Sequence, residues 1–183
     1  TSGIFMSKTL KPYSMITDFV TEKEIPNVGA EENRQAVERI LVDEKGYSKE
    51  DIAVDVDIEI TIAGEIYRSQ IDLVVSVDDE YGSTRLMAIK CAAASLGSRE
   101  REILAASRLL AENQLPYSVV SDGKTAIVLD TVSGKKLGEG LNAIPSKSQA
   151  QEKLKELKRL SFPKEKRERE KLIFRSFDSM NVN

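Results

Sequence analysis

The sequence contains no histidine, and this absence excludes several kinds of active site at once. Histidine is the usual general base of Ser-His-Asp and Cys-His sites, so neither arrangement can be built from this chain. Zinc sites with histidine ligands are excluded for the same reason. Any metal site must depend on oxygen ligands, which favour Mg²⁺, Mn²⁺ or Ca²⁺.

Cysteine is nearly absent as well, since Cys91 is the only one. No disulfide framework can form within the chain, and this favours a reducing, cytoplasmic compartment. Without a histidine to activate it, we interpret Cys91 as a small core residue rather than a nucleophile. The sequence also lacks an apolar run long enough to span a membrane and lacks a secretory signal. We therefore expect a cytoplasmic protein with no membrane partner.

Neither sign of charge dominates, because 27 Lys and Arg residues oppose 30 Asp and Glu residues and leave a net charge of -3. No overall positive field indicates nucleic acid, although a local basic patch could still bind it. The length of 183 residues suits one domain with a sizeable core.

The order of the predicted elements indicates a mixed α/β domain. Helical spacing of apolar residues predicts a helix over about 30–45, and the alternation in VDVDIEITI predicts a strand with one exposed face. Strands at about 66–77 and 86–90 follow, then a helix over about 98–113, then two strands in YSVVSD and TAIVLDT. Strand, helix and strand in this order imply a parallel crossover. We therefore predict a central mixed sheet of about five strands flanked by the helices.

The two ends of the chain differ in composition from this core. We assign residues 7–145 to one domain that begins with an extended N-terminal arm, and residues 146–183 to a C-terminal helical appendage. Leu172, Phe174 and Phe177 make this appendage too apolar to remain in water on isolated helices. The appendage must pack on this domain or on another copy, and we predict a homodimer formed through the C-terminal helices.

One acid and one lysine stand out in the stretch IDLVVSVDDEYGSTRLMAIK. Asp72 interrupts an otherwise apolar strand, and Lys90 ends the next strand. Burying an unpartnered acid costs free energy, so an ordinary strand would carry an apolar residue at this place. An Asp on one strand beside a Lys on its neighbour indicates a metal and phosphate site.

A family resemblance covers residues 29–131 and includes GAEENRQAVERILVDEKGYSKEDIAVDVDIEI and the hairpin VVSDGKTAIVLDT. This region resembles the N-terminal domain of the R subunit of type I restriction enzymes and its stand-alone relatives, within the PD-(D/E)xK nuclease superfamily. The resemblance implies a restriction-endonuclease-like fold and divalent-metal-dependent hydrolysis of DNA. It also implies Mg²⁺ or Mn²⁺ as the cofactor and DNA as a partner.

The superfamily pattern has an Asp on the second core strand, an acid-x-Lys on the third and often a Glu on the first helix. By this resemblance Asp72 takes the Asp position and Lys90 the Lys position, and Glu32 is the candidate acid of the first helix. Ala88 stands where the acid of the acid-x-Lys pair is expected. The Gln that is common in the second helix is missing too.

Ala88 leaves a gap in the site, because residues two apart on a strand share one face. Some members of the superfamily move this acid to the following helix. Glu102 borders the buried stripe of that helix and is the best candidate, and Glu100 is the second choice. Both are also ordinary acids for the start of a helix, where the helix dipole favours them. A moved acid would make Asp72, Lys90 and Glu102 the catalytic residues, with Asp72 and Glu102 as metal ligands.

Two functions stay open from the sequence. The first is a Mg²⁺-dependent DNA endonuclease of restriction-modification type with a degenerate or migrated acidic motif. The second is a catalytically inactive nuclease-fold module that binds DNA or a partner protein. The retained Asp72 and Lys90 favour the first function, whereas Ala88 and the missing Gln favour the second.

Overall fold

The structure is a computed structural model that describes residues 13–80 and 82–180. The strands are β1 (Met15–Thr17), β2 (Glu24–Pro26), β3 (Ile52–Ile62), β4 (Glu65–Asp79), β5 (Gly82–Cys91), β6 (Tyr117–Ser121), β7 (Ala126–Asp130) and β8 (Lys136–Glu139). The α-helices are α1 (Glu31–Arg39), α2 (Glu100–Leu109), α3 (Lys147–Leu154) and α4 (Lys164–Met180). No helix in this described part is long and apolar enough to cross a membrane.

The strands β3 to β8 form one six-stranded sheet in chain order. Neighbouring strands are antiparallel except for β5 and β6, which are parallel. The segment that contains α2 connects these two, because parallel neighbours need a crossover connection. The predicted α/β fold with a central mixed sheet is confirmed. The sixth strand, β8, was not predicted, because its sequence KLGE is short and lacks a clear alternation.

The predicted N-terminal arm is only partly extended. Its described residues form a small hairpin in which β1 pairs with β2 in antiparallel order. The part of the arm before residue 13 lies outside the described residues. The division into a domain over 7–145 and an appendage over 146–183 stays a prediction.

Each face of the sheet is covered by its own helices. The first core packs α1 on one face, where Val37 and Leu41 contact strand residues such as Leu73, Met87 and Ile89. The second core packs α2 and α4 on the other face; its members include Ile71, Val74, Ala88, Ile103, Ala106, Val120 and Phe174. Alternation along β4 and β5 divides their apolar residues between the two cores.

The C-terminal helix α4 packs on its own chain. Phe174 is only 2% exposed, and its ring meets the edge of the Tyr67 ring with 6.2 Å between the centroids. Glu170 binds two arginines of α2, with its Oε2 2.7 Å from Arg101 and its Oε1 3.2 Å from Arg108. The apolar residues of the tail are therefore buried in part within one chain. The homodimer through the C-terminal helices stays a prediction.

Replacing Phe174 by Ala should test whether α4 is part of the core. The change removes a buried aromatic side chain and should lower the free energy of unfolding by about 3–5 kcal/mol. Leu172→Ala is the matched control, because Leu172 lies on the same helix but is 44% exposed. Urea denaturation of both variants measures the effect. Equal, small losses in the two variants would show that α4 is not docked.

Candidate active site

The register of β4 and β5 places Asp72 beside Lys90. Leu73 pairs with Ile89 and Val74 with Ala88, so Asp72 and Lys90 are opposite one another at the next position. Val74 and Ala88 belong to the core under α2, and the alternation of the strands puts Asp72 and Lys90 on the same face. The Nζ atom of Lys90 lies 3.7 Å from Oδ2 of Asp72. The same oxygen accepts a 2.8 Å hydrogen bond from the backbone N–H of Cys91.

Glu102 reaches this pair from the first turn of α2. Its Oε1 atom lies 3.9 Å from the Nζ atom of Lys90, and its Oε2 atom lies 3.7 Å from Nη1 of Arg99. The Lys90 ammonium group thus lies close to two carboxylates that come from different elements. The side chain of Asp72 is 23% exposed, that of Lys90 is 13% exposed and that of Glu102 is 5% exposed.

Ala88 is fully buried where a strand acid was expected. It packs in the core that also contains Ile103, Ala105 and Ala106 of α2. A carboxylate at this position would be placed in an apolar contact between strand and helix, which is unfavourable without a partner. The small residue therefore suits an arrangement in which the carboxylate near Lys90 comes from the helix.

Burial dominates the electrostatics of Glu102. It raises the pKa of Glu102 to about 7, the positive charges of Lys90 and Arg99 act against this rise, and the carboxyl group of Asp178 adds to it. Asp178 comes from the last turns of α4. It accepts a 2.8 Å hydrogen bond from Oγ of Ser69 and another from the hydroxyl of Tyr67.

A small cleft of about 220 Å³ opens on the other side of Asp72. Glu31 and Arg34 of α1, Asp55 of β3 and Cys91 contribute to its lining. Arg34 donates to Oε1 of Glu31 and to Oδ1 of Asp55, both at 2.6 Å. The buried guanidinium group therefore ties α1 to the edge strand beside Asp72.

Asp55 has an unusual backbone conformation next to this cleft. Its φ of 54° lies in the left-handed region, which Asp tolerates better than most residues do. Val54 pairs with Leu73 and Val56 with Ile71, so Asp55 stands opposite Asp72 in the register. The irregular position in β3 thus coincides with the proposed metal ligand of β4.

The structure separates the other two predicted acids from the cluster around Lys90. Glu32 is exposed and accepts a 2.9 Å hydrogen bond from Asn27, and the helix acid that lines the cleft is Glu31. Glu100 is half-buried and acts electrostatically on Lys136. Cys91 is fully buried, and burial raises the pKa of its thiol, as expected for a core residue.

Four residues near the site were missed by the sequence analysis, namely Glu31, Arg34, Asp55 and Asp178. The spacing of Glu31 and Arg34, three apart on a helix, was an available signal for an ion pair. Asp55 belongs to an alternating strand, where it looks like an ordinary exposed residue. Asp178 lies far along the chain from β4, and no local pattern connects it with this site.

The donor chemistry of the site fits a hard divalent cation. Asp72 and Glu102 offer carboxylate oxygens on either side of one ammonium group. Among the described residues, no three Asp, Glu or Cys side chains form a group that could hold a metal. Two carboxylates are nevertheless sufficient for Mg²⁺, which usually keeps several waters and takes further oxygens from substrate phosphates.

The raised pKa of Glu102 predicts a change in stability with pH. An unfolded chain releases this proton near pH 4.5, whereas the folded protein keeps it until about pH 7. The contribution of Glu102 to the free energy of unfolding is therefore largest below pH 4.5 and falls as the pH rises to 7. Urea denaturation at pH 5 and pH 7.5 should show a smaller loss for Glu102→Gln than for the wild type.

Glu100→Gln is the matched control for this measurement, because Glu100 starts the same helix without contacting Lys90. It should lose stability with rising pH as the wild type does. Parallel losses in the wild type and in Glu102→Gln would contradict the assignment.

A family model describes much of this chain. The model for the type I restriction enzyme R protein N terminus (HSDR_N) matches residues 29–145. No curated protein and no solved structure matches the chain. The matched region runs from the start of α1 past β8 and includes Asp72, Lys90 and Glu102, whereas Asp178 lies outside it. Because the match covers more than half of the sequence, the chain belongs to the family of type I restriction enzyme R protein N-terminal domains.

Proposed function

We propose that the chain is a DNA endonuclease of restriction-modification type that hydrolyses phosphodiester bonds with a divalent cation. The observation that carries this proposal is the position of Lys90 Nζ, 3.7 Å from Asp72 and 3.9 Å from Glu102. Membership of the restriction enzyme family supports a nuclease-like role and DNA as the substrate. The PD-(D/E)xK superfamily, which the resemblance implied, belongs to the same proposal.

The two carboxylates would hold the cation, Mg²⁺ or Mn²⁺. When bound, such an ion supplies a Lewis acid for the phosphate and a water that ionises near neutral pH. Asp72 is the more exposed of the two acids and faces a cleft, so it would be the first to meet an ion and a phosphate. Its orientation is fixed by the N–H of Cys91.

Lys90 would act on the reacting phosphate rather than on the cation. Its ammonium group carries a positive charge in a site that is largely shielded from water. There it can orient a water by hydrogen bonding and stabilise negative charge as it develops on the phosphate oxygens. Shielding from water strengthens both effects, because the local dielectric constant is lower.

Glu102 would replace the acid that Ala88 lacks. The carboxylate from α2 reaches the same ammonium group that Asp72 contacts, so the two acids share one neighbour. The strand position can then be small and apolar, as found for the buried Ala88. In this proposal the acidic motif has migrated and is not lost.

A second candidate function is a nuclease-fold module that binds DNA or a protein without cutting. The burial of Glu102 favours it, since a side chain that is 5% exposed and close to Arg99 can serve as a structural ion pair. In that case Asp72, Lys90 and Glu102 would form a buried charge network that holds α2 on the sheet. Loss of one member would then affect stability and leave no activity to measure.

Nicking of supercoiled plasmid DNA distinguishes the two functions. The wild type should nick in the presence of Mg²⁺ or Mn²⁺, and a chelator should stop it. Asp72→Asn, Lys90→Met and Glu102→Gln should each lower the rate by about 100-fold or more, because each removes charge from the reacting centre. Initial rates at fixed protein and metal concentrations provide the comparison.

Asp57→Asn and Glu100→Gln are the matched controls. Asp57 lies exposed on β3 and is bonded to Gln70, and Glu100 shares the first turn of α2 with Glu102. Both controls should nick at the wild-type rate. A wild-type protein that binds DNA without nicking it would favour the second function, and nicking that survives Asp72→Asn would place the site elsewhere.

A further inference from the structure

The C-terminal helix brings an additional carboxylate to the candidate site. Asp178 lies in α4, beyond the residues that the family model matches. Both of its oxygens are engaged, Oδ1 by the hydroxyl of Ser69 at 2.8 Å and Oδ2 by the hydroxyl of Tyr67. These two donors come from β4, the strand that also carries Asp72.

The helix that carries Asp178 is anchored at two further points. Glu170, Phe174 and Asp178 are four residues apart and therefore lie along one face of α4. Glu170 binds Arg101 and Arg108, while Phe174 is buried in the core with α2. Arg101 directly precedes Glu102 in the chain. The same helix face therefore clamps the start of α2 and holds Asp178 in place.

Asp178 also contacts Glu102 directly. The two carboxyl groups are joined by a hydrogen bond between side chains. Lys90 and Arg99 approach Glu102 as well, each with one of its oxygens as the nearest acid atom. The carboxyl group of Glu102 is thus held by three neighbours from three different parts of the chain, of which Asp178 is the negative one.

We propose that Asp178 is a positioning residue that holds the Glu102 carboxyl group beside Lys90 and increases the affinity of the site for Mg²⁺ or Mn²⁺. Carboxylates that bind metals are commonly oriented by groups in the next layer, and those groups strongly affect metal affinity. A fixed negative charge close to the ligand also attracts a divalent cation. The inference rests on the proposed function, because it takes Glu102 as a metal ligand.

Mn²⁺ binding to the full chain tests the inference without depending on catalysis. The electron paramagnetic resonance signal of free Mn²⁺ reports the affinity of the wild type, Asp178→Asn and Glu168→Gln. Asp178→Asn should bind Mn²⁺ about 10- to 100-fold more weakly, as expected for the loss of an outer-layer partner. Glu168→Gln is the matched control on α4, since Glu168 is exposed and paired with Lys171, and it should bind as the wild type does.

A double variant separates positioning from a general structural effect. In a Glu102→Gln background, Asp178→Asn should cause no further loss of Mn²⁺ affinity, because its effect acts through Glu102. Ser69→Ala keeps Asp178 and removes one of its two donors, so it provides a milder change if Asp178→Asn does not fold. It should weaken Mn²⁺ binding by a smaller factor.

The outcomes for the inference and for the proposed function are distinct. Wild-type affinity or tighter binding in Asp178→Asn, with nicking retained by the wild type, would overturn the inference and leave the proposed function standing. Weaker Mn²⁺ binding in Asp178→Asn, together with a wild type that never nicks, would support the inference and refute hydrolysis. A wild type that binds no Mn²⁺ would overturn both.

Discussion

The ammonium group of Lys90, placed between Asp72 and Glu102, is the interaction on which the account of this site depends. A lysine that is 13% exposed must find negative partners, because an isolated buried charge is strongly unfavourable. The two acids meet this need from opposite directions, one from β4 and one from α2. The sheet and the helix are thus joined at a point where three charged groups are partly removed from water.

Much of the surrounding fold serves to bring these groups together. The antiparallel register of β4 and β5 places Asp72 opposite Lys90, and the crossover through α2 returns Glu102 to the same face. The small buried Ala88 lies in the core between strand and helix. On the outer side, α4 is held by Glu170 and Phe174 and brings Asp178 into contact with Glu102. The helix that the sequence marked as an appendage therefore supports the site.

Local pattern explains which parts of this arrangement could be predicted. Alternation in β3 and helical spacing in α1 and α2 are properties of short segments, so the sheet and its flanking helices were accessible from the sequence. The neighbourhood of Asp72 and Lys90 followed from the family resemblance, and Glu102 followed from the face of the helix that it shares with buried residues. Glu31 was missed in favour of Glu32 because, at the first turn of a helix, neighbouring acids look alike until the direction of the helix is known. Asp178 was out of reach, since its contact with Glu102 depends on how α4 docks.

Anomalous diffraction from crystals soaked in Mn²⁺ tests the central claim most directly. The account predicts an anomalous peak bound by carboxylate oxygens of Asp72 and Glu102, with Lys90 beside it and not as a ligand, and no such peak in Asp72→Asn crystals. A peak that avoids Glu102, or the absence of any peak near Asp72 at millimolar Mn²⁺, would contradict it. The three charged groups would then be a structural network of the fold.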